Sequence, residues 1–269
     1  MRSPVPILAY HSVSADPPAW IAPFAVSPAA FARHMDAVVA SGREPVTVSH
    51  YADGLRGQCA LPERPVLITV DDGFEDFAHS ALPVLADRGI CSTLYVTTGA
   101  LADGVQESVL PPASMLSSAD LRDVEAAGVE IGAHSHTHRQ MDLISQQDVV
   151  AELSRSASIL AEILGHHIRS FAYPHGYWTP RVRRLAAASF DSACTVGNAF
   201  STAHDELMTL SRILVRADED DSAVAAWMKE SGARLVPRRR ALPFCWRQVR
   251  RVLSHAPRQP LQSLVDSAK

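Results

Sequence analysis

Short apolar runs alternate along the chain with longer segments whose apolar positions recur every three to four residues. Ile7–Tyr10 predicts a short strand. After a proline-rich loop comes SPAAFARHMDAVVASG, in which Ser27 suits a helix N-cap, Pro28 the first helical position and Gly42 the stop. PVTVSH (45–50) predicts a strand. PVLITV (65–70) is a nearly unbroken β-branched run of the kind that belongs to a sheet buried on both faces, and it ends in Asp71-Asp72-Gly73. A helix is expected from about Phe77 to Arg88, closed by Gly89, and TLYVTT (93–98) reads as the next strand. Ser118 to Ala127 reads as helix, stopped by Gly128, and VEIGA (129–133) as strand. SQQDVVAELSRSASILAEILG opens with a capping arrangement at Ser145 and Asp148. It places Val149, Leu153, Ile159 or Leu160, and Ile163 on one face and closes at Gly165. Strand SFAYP, helix PRVRRLAAAS and strand FDSACTV complete the series. This alternation implies a mainly parallel sheet wrapped by helices, either a barrel or a doubly wound sheet, and in both the chemistry sits at the carboxyl ends of strands.

With 269 residues, 47% of them apolar, the chain can bury a large core in one domain or two small ones, which excludes disorder throughout. No uninterrupted apolar stretch approaches the length of a membrane-spanning helix. The start, MRSPVPILAYHSV, lacks the pattern of a signal peptide, so a cytoplasmic location is expected. Cys59, Cys91, Cys194 and Cys245 are scattered with no CxxC pair, which argues against a disulfide framework and a cysteine zinc site. Any metal must be held by His and Asp. The net charge of −4 conceals an asymmetry: from Lys229 on there are ten basic and two acidic residues, against 15 basic and 27 acidic before it. The expected division is a catalytic domain over 1–228 and a basic extension over 229–269.

Polar clusters follow four of the strands: Tyr10-His11, Asp71-Asp72, His134 to His138, and Tyr173-Pro174-His175-Gly176. Adjacent carboxylates at a strand end point to different sides, so one can ligate a metal while the other faces substrate or water. An Asp-Asp-Gly sequence is also an ordinary strand-to-turn exit. In HSHTH, His134 and His138 share a face if the segment turns, and all three histidines do if it is extended. Three histidines in five residues directly after an apolar strand are hard to explain by packing. Two His and one Asp with an open position form the ligand set of a catalytic divalent ion, and the implied reaction is metal-assisted hydrolysis.

TVDDG (69–73), HSHTH (134–138) and RSFAYPHG (169–176), in this order and at these distances, resemble the first three motifs of the polysaccharide deacetylases, the carbohydrate esterases of family four. The resemblance spans about residues 5–216. It implies a distorted (β/α)7 barrel, a divalent metal (zinc first, with cobalt, nickel, manganese or iron as alternatives) and removal of N-acetyl groups from hexosamines. It further implies Asp71 as general base, Asp72, His134 and His138 as metal ligands with His136 outside the first coordination sphere, and Arg169 as the arginine that pairs with the base. The backbone N–H of His175 would help hold the oxyanion. The sequence departs from the family where an Asp/Trp pair is usual, around FDSACTVGN (190–198), which has Asp191 but no Trp. It departs again at LSRILV (210–215), where the usual late histidine is missing.

PILAYHSV resembles the start of the circularly permuted branch, the poly-N-acetylglucosamine deacetylases, in which the last strand and its histidine move to the N-terminus. The resemblance makes His11 the catalytic acid. Loop 99–117 is expected to shape the sugar site. Residues 244–255 could form a basic interfacial helix, with peripheral contact at the inner membrane face and a lipid-linked sugar as an alternative to a free N-acetylated glycan; packing on the barrel is the competing use. Nucleic acid is not an expected partner, since the body carries −12. The functional rivals are hydrolysis of another sugar amide on the same scaffold, such as a formamide, and a non-catalytic sugar-binding scaffold.

Overall fold

The computed structural model describes residues 4–202 and 204–235. Eight parallel strands form one sheet: β1 Ile7–Tyr10, β2 Glu44–Pro45, β3 Pro65–Val70, β4 Thr93–Val96, β5 Glu130–Ala133, β6 Ser170–Ala172, β7 Ser192–Cys194 and β8 Ile213–Leu214. Their order is β7-β6-β5-β4-β3-β1-β8, with β2 added beside β3. The sheet curls until its ends meet: Leu210 exchanges hydrogen bonds with Ala193 and Thr195 around β7, while Ile213–Leu214 pair with β1. Seven α-helices accompany it: α1 Pro28–Ala40, α2 Val48–Leu55, α3 Leu82–Asp87, α4 Ser118–Ala126, α5 Gln146–Leu164, α6 Pro180–Ala186 and α7 Asp221–Met228. The distorted (β/α)7 barrel expected from the sequence is the architecture found.

Strand periodicity divides the core in two. Val66, Ile68 and Val70 of β3 face the helices together with Leu8, Tyr10, Leu94, Val96, Ile131 and Phe171. Their neighbours Ile7, Leu67, Tyr95, Ala172 and Cys194 point inward to a smaller cluster. Gly132 makes room for Tyr95 to cross that interior, since a Cβ at Gly132 would lie 2.5 Å from the Tyr95 ring. Every residue of β3 is buried, as its unbroken apolar run requires.

Two elements differ from the sequence pattern. PVTVSH supplies only the second residue of the two-residue β2 and then turns into α2. Its β-branched residues suggest a strand, but Thr47 accepts from the His50 N–H as an N-cap, and Val48, Tyr51, Ala52 and Leu55 form a helical apolar stripe. The helix that Phe77–Arg88 predicts begins as a π turn over Phe77–Ala81 before α3. The structure also adds β8 and α7, which the periodicity did not single out.

The sheet's amino end is closed by α2. The Glu130 carboxylate accepts from the Ser49 N–H (3.0 Å) and from the hydroxyls of Ser49 (2.7 Å), Thr93 (3.0 Å) and Ser170 (2.6 Å). Beside it Arg169 binds both carboxylate oxygens of Asp53 in α2 (2.6 and 3.0 Å) and reaches Asp191 with its Nε (2.8 Å). The compact unit holding the described residues runs to Arg238. Residues 229–235 belong to it, through Arg43 to Glu230 (2.8 Å) and the Phe200 N–H to the Arg234 carbonyl (2.8 Å). The basic helix expected over 244–255 lies outside the described residues. Among those described, no helix is long and apolar enough to cross a membrane.

Because the Arg169 network is partly exposed, Arg169→Ala should cost about 1 kcal/mol or less. That corresponds to a Tm about 2–4 °C lower for a domain of this size, with metal binding unchanged. Thermal unfolding and metal titration of the variant check both; a loss of metal would show that Arg169 reaches the site.

Candidate metal centre and active site

At the carboxyl end of the sheet, Asp71 continues the inward positions Leu67 and Thr69, and His134 continues Glu130 and Gly132. Alternation would send Asp72 outward. Its backbone instead takes a left-handed conformation (φ 76°), as do Ser135 (64°) and His138 (63°). The side chains of Asp72, His134 and His138 converge on one point, with one donor atom from each lying within 4.8 Å of the others. Asp72 Oδ1 is 3.4 Å from His134 Nε2 and 3.2 Å from His138 Nε2. Bonds of about 2.0–2.1 Å in a tetrahedral set put ligand atoms about 3.3–3.4 Å apart.

The surroundings prepare these groups for a cation. His134 Nδ1 lies 2.8 Å from the Ala172 carbonyl, to which it donates, and this fixes the tautomer that leaves the Nε2 lone pair free. Burial, reinforced by His138, pushes the His134 pKa down to about 4, so the ring is neutral. Burial works to raise the Asp72 pKa, but His138, His11 and His134 outweigh it and hold the carboxyl well below its ordinary value. Asp72 Oδ1 is buried with no hydrogen-bond partner among the described residues. A hard or borderline divalent ion satisfies that oxygen, and the donor set fits one.

Asp71 is held by Arg212. Arg212 Nη1 and Nη2 donate to the two Asp71 oxygens (2.6 and 2.7 Å), Nη1 also to Thr69 Oγ1 (3.0 Å), and Nε to the Thr195 carbonyl (3.2 Å). Both side chains are buried. Burial opposes ionisation of Asp71, yet the Arg212 guanidinium, with His134, keeps its pKa below the ordinary carboxylate value. The expected pairing of Asp71 with Arg169 is thereby overturned. Arg169 precedes β6 at the sheet's opposite end, three residues or about 10 Å of strand below Ala172, and is engaged with Asp53 and Asp191.

His11 follows β1 beside Asp71, and its charge acts on Asp71, Asp72 and His175. Its ring packs on Phe24 (centroids 5.6 Å apart), and its Nδ1 is buried with no hydrogen-bond partner among the described residues. His175 takes φ 58°, and its ring centroid lies 4.7 Å from that of His138. His136 turns away from the centre: its Nδ1 meets Thr98 Oγ1 (2.8 Å) and its Nε2 meets Glu107 of loop 99–117.

Two functional groups escaped sequence reasoning. Arg212 stands alone in the apolar LSRILV, and a charge in the middle of such a run needs a buried counter-charge. Glu152 interrupts the apolar stripe of α5, whose buried residues are Val149, Glu152, Leu153, Ser156 and Leu160.

Residues 59–190 match the family model for polysaccharide deacetylase. YxkH of Bacillus subtilis, a protein named for the same family, is 21% identical over 226 residues, covering 84% of this chain and 76% of its own. The solved structure of IcaB from Ammonifex degensii is 25% identical with a TM-score of 0.72, covering 84% of this chain and 97% of that one. The Streptococcus pyogenes deacetylase PplD, solved in complex with acetate, is similar in fold, with a TM-score of 0.73 at 21% identity over 82% of this chain and 96% of that one. Residues 59–190 thus carry a polysaccharide deacetylase domain of the carbohydrate esterases of family four, which supports a hydrolase whose expected substrate is a polysaccharide.

Asp71 and Asp72 have depressed pKa values in the fold, so their contribution to stability is present above the ordinary carboxylate range and is lost as pH falls through the folded-state values. Arg212→Met reverses the sign for Asp71, because burial then dominates. The variant should lose about 3–5 kcal/mol at neutral pH. The deficit should shrink toward about pH 5 as Asp71 protonates. Urea unfolding of both proteins across that range checks it, and a deficit that stays constant with pH would sink the account.

Proposed function

We propose that the protein removes N-acetyl groups from an N-acetylhexosamine-containing glycan in a metal-dependent hydrolysis. The observation that carries this reading is the Asp72, His134, His138 donor set beside a second carboxylate, Asp71, that is buried and kept ionised by Arg212. A divalent ion held by Asp72, His134 and His138, zinc being the first choice, would acidify water and polarise the amide carbonyl. Asp71 accepts the proton of the attacking water. It has a proton-accepting role open to it because its charge is fixed by the guanidinium and it shares the interior face with the donor set. The His175 backbone N–H, presented by a left-handed residue after Pro174, faces the oxyanion that develops. His11, on the other side of Asp71, gives a proton to the departing amine, in place of the histidine missing from LSRILV, as in the permuted branch. Acetate and a free amino sugar are the products.

Asp71→Asn should lower turnover by about 10²–10⁴-fold with metal still bound, and His11→Ala should lower it over the same range. His134→Ala should lose the metal. Acetate and formate release from N-acetylated and N-formylated glucosamine oligomers, read with metal content, tests this. Formate as the main product would change the acyl group assigned, and an Asp71→Asn enzyme as active as the parent would remove Asp71 as the base.

A further inference from the structure

The metal histidines lie on a turn, not a strand or helix, and the turn is held by a residue 14 positions past its last histidine, outside any motif. We propose that Glu152 of α5 is a positioning residue for the metal centre, setting the geometry of the His134–His138 segment; the inference rests on the metal reading above. Glu152 is 5% exposed and occupies a core position of α5 between Val149 and Leu153, where an apolar side chain would satisfy packing. A carboxylate there is expensive unless its lone pairs are taken. Among the described residues they are taken by the turn. Oε2 accepts from the backbone N–H groups of His136 (2.9 Å) and Thr137 (2.7 Å), and Oε1 accepts from the Thr137 hydroxyl.

The turn needs such a clamp. Ser135 and His138 are both left-handed, which costs non-glycine residues about 1–2 kcal/mol each, and no regular hydrogen-bond ladder holds the segment between them. Its remaining groups are tied from the other side. The His138 N–H donates to Ser135 Oγ (3.0 Å), and the carbonyls of Ser135, His136 and Thr137 accept from the N–H groups of Thr98 (3.3 Å), Gly99 (2.7 Å) and Val109 (2.8 Å). Gly99 is required for that approach, since a Cβ there would lie 2.6 Å from the His136 oxygen. The segment is thus gripped between the 98–109 chain, which takes its acceptors, and one carboxylate, which takes its donors. Leucine keeps the volume of that side chain but accepts nothing, whereas glutamine could accept both backbone N–H bonds with its carbonyl and donate its NH2 to the Thr137 hydroxyl.

The test uses the full chain stripped of metal. Zinc affinity is measured by competition with a chromophoric chelator, and the cobalt(II) derivative supplies a visible spectrum that reports ligand geometry. Glu152→Leu, which leaves the His136 and Thr137 N–H groups without their acceptor, should weaken zinc about 10–100-fold and alter the cobalt spectrum. Glu162→Gln, exposed on the same helix, should match the parent in both. A lower Tm of the metal-free protein with unchanged zinc affinity and cobalt spectrum would reduce Glu152 to a structural residue and overturn the proposal. Should Glu152→Leu fail to fold, Thr137→Val decides, since it removes only the hydroxyl bond: several-fold weaker zinc supports the clamp, and parental affinity overturns it. If the parent itself binds neither metal, the metal reading and this inference fall together, whereas a metal-binding parent with an indifferent Glu152→Leu sinks the clamp alone.

Discussion

The buried Asp71–Arg212 pair is the interaction on which the rest of the molecule depends. Arg212 sits in the short segment that joins the two ends of the sheet, between Leu210 at β7 and Ile213 at β1. Its guanidinium crosses the interior to β3, passing over the Tyr95 ring at 5.5 Å. Taking two ions out of water costs several kcal/mol for each, so such a pair is tolerable only when its hydrogen bonds are complete. Here they are: the bidentate contact to Asp71 is joined by bonds to Thr69 and Thr195. Closing the sheet and ionising the carboxylate beside the Asp72, His134, His138 donor set are therefore coupled, since burying either ion alone costs several kcal/mol.

The two ends of the sheet use charge differently. At the amino end, Glu130 and Arg169 fasten α2, with solvent reaching part of the network. At the carboxyl end Asp71, Asp72, His134 and His138 are buried and face one another, and the backbone is bent to allow it: Asp72, Ser135, His138 and His175 are all left-handed. Strain of this kind persists only where the surroundings over-determine it. Glu152, the 98–109 chain and Arg212 supply that constraint. The chemistry they permit is what the position at strand ends leads one to expect, because loops there carry function on a rigid scaffold.

Much of this was legible in the chain. The alternation of β-branched runs with capped amphipathic segments sets a parallel sheet and places Asp71, Asp72, His134, His138, His175 and His11 at strand ends. Residue type and spacing offer the two adjacent carboxylates and the three histidines as candidates, and the resemblance to the family selects Asp72, His134 and His138 among them. Arg169 shows the limit. It directly precedes the motif's strand and so sits at the amino end of the sheet, where it pairs with Asp53 and Asp191; the likeness of the motif, and not the order of the chain, pointed it at Asp71.

What the sequence by itself determined is the set of elements, their parallel arrangement and the local clusters, since these rest on periodicity, capping and side chains close along the chain. The tertiary structure alone decided the long-range pairings: Arg212 with Asp71 across 141 residues, Glu152 with the His136–Thr137 turn, and the folding of PVTVSH into a helix beneath Glu130. Each is a buried polar group whose partner is fixed by which faces the curled sheet brings together. That depends on closure of the whole sheet, and no window of sequence contains it.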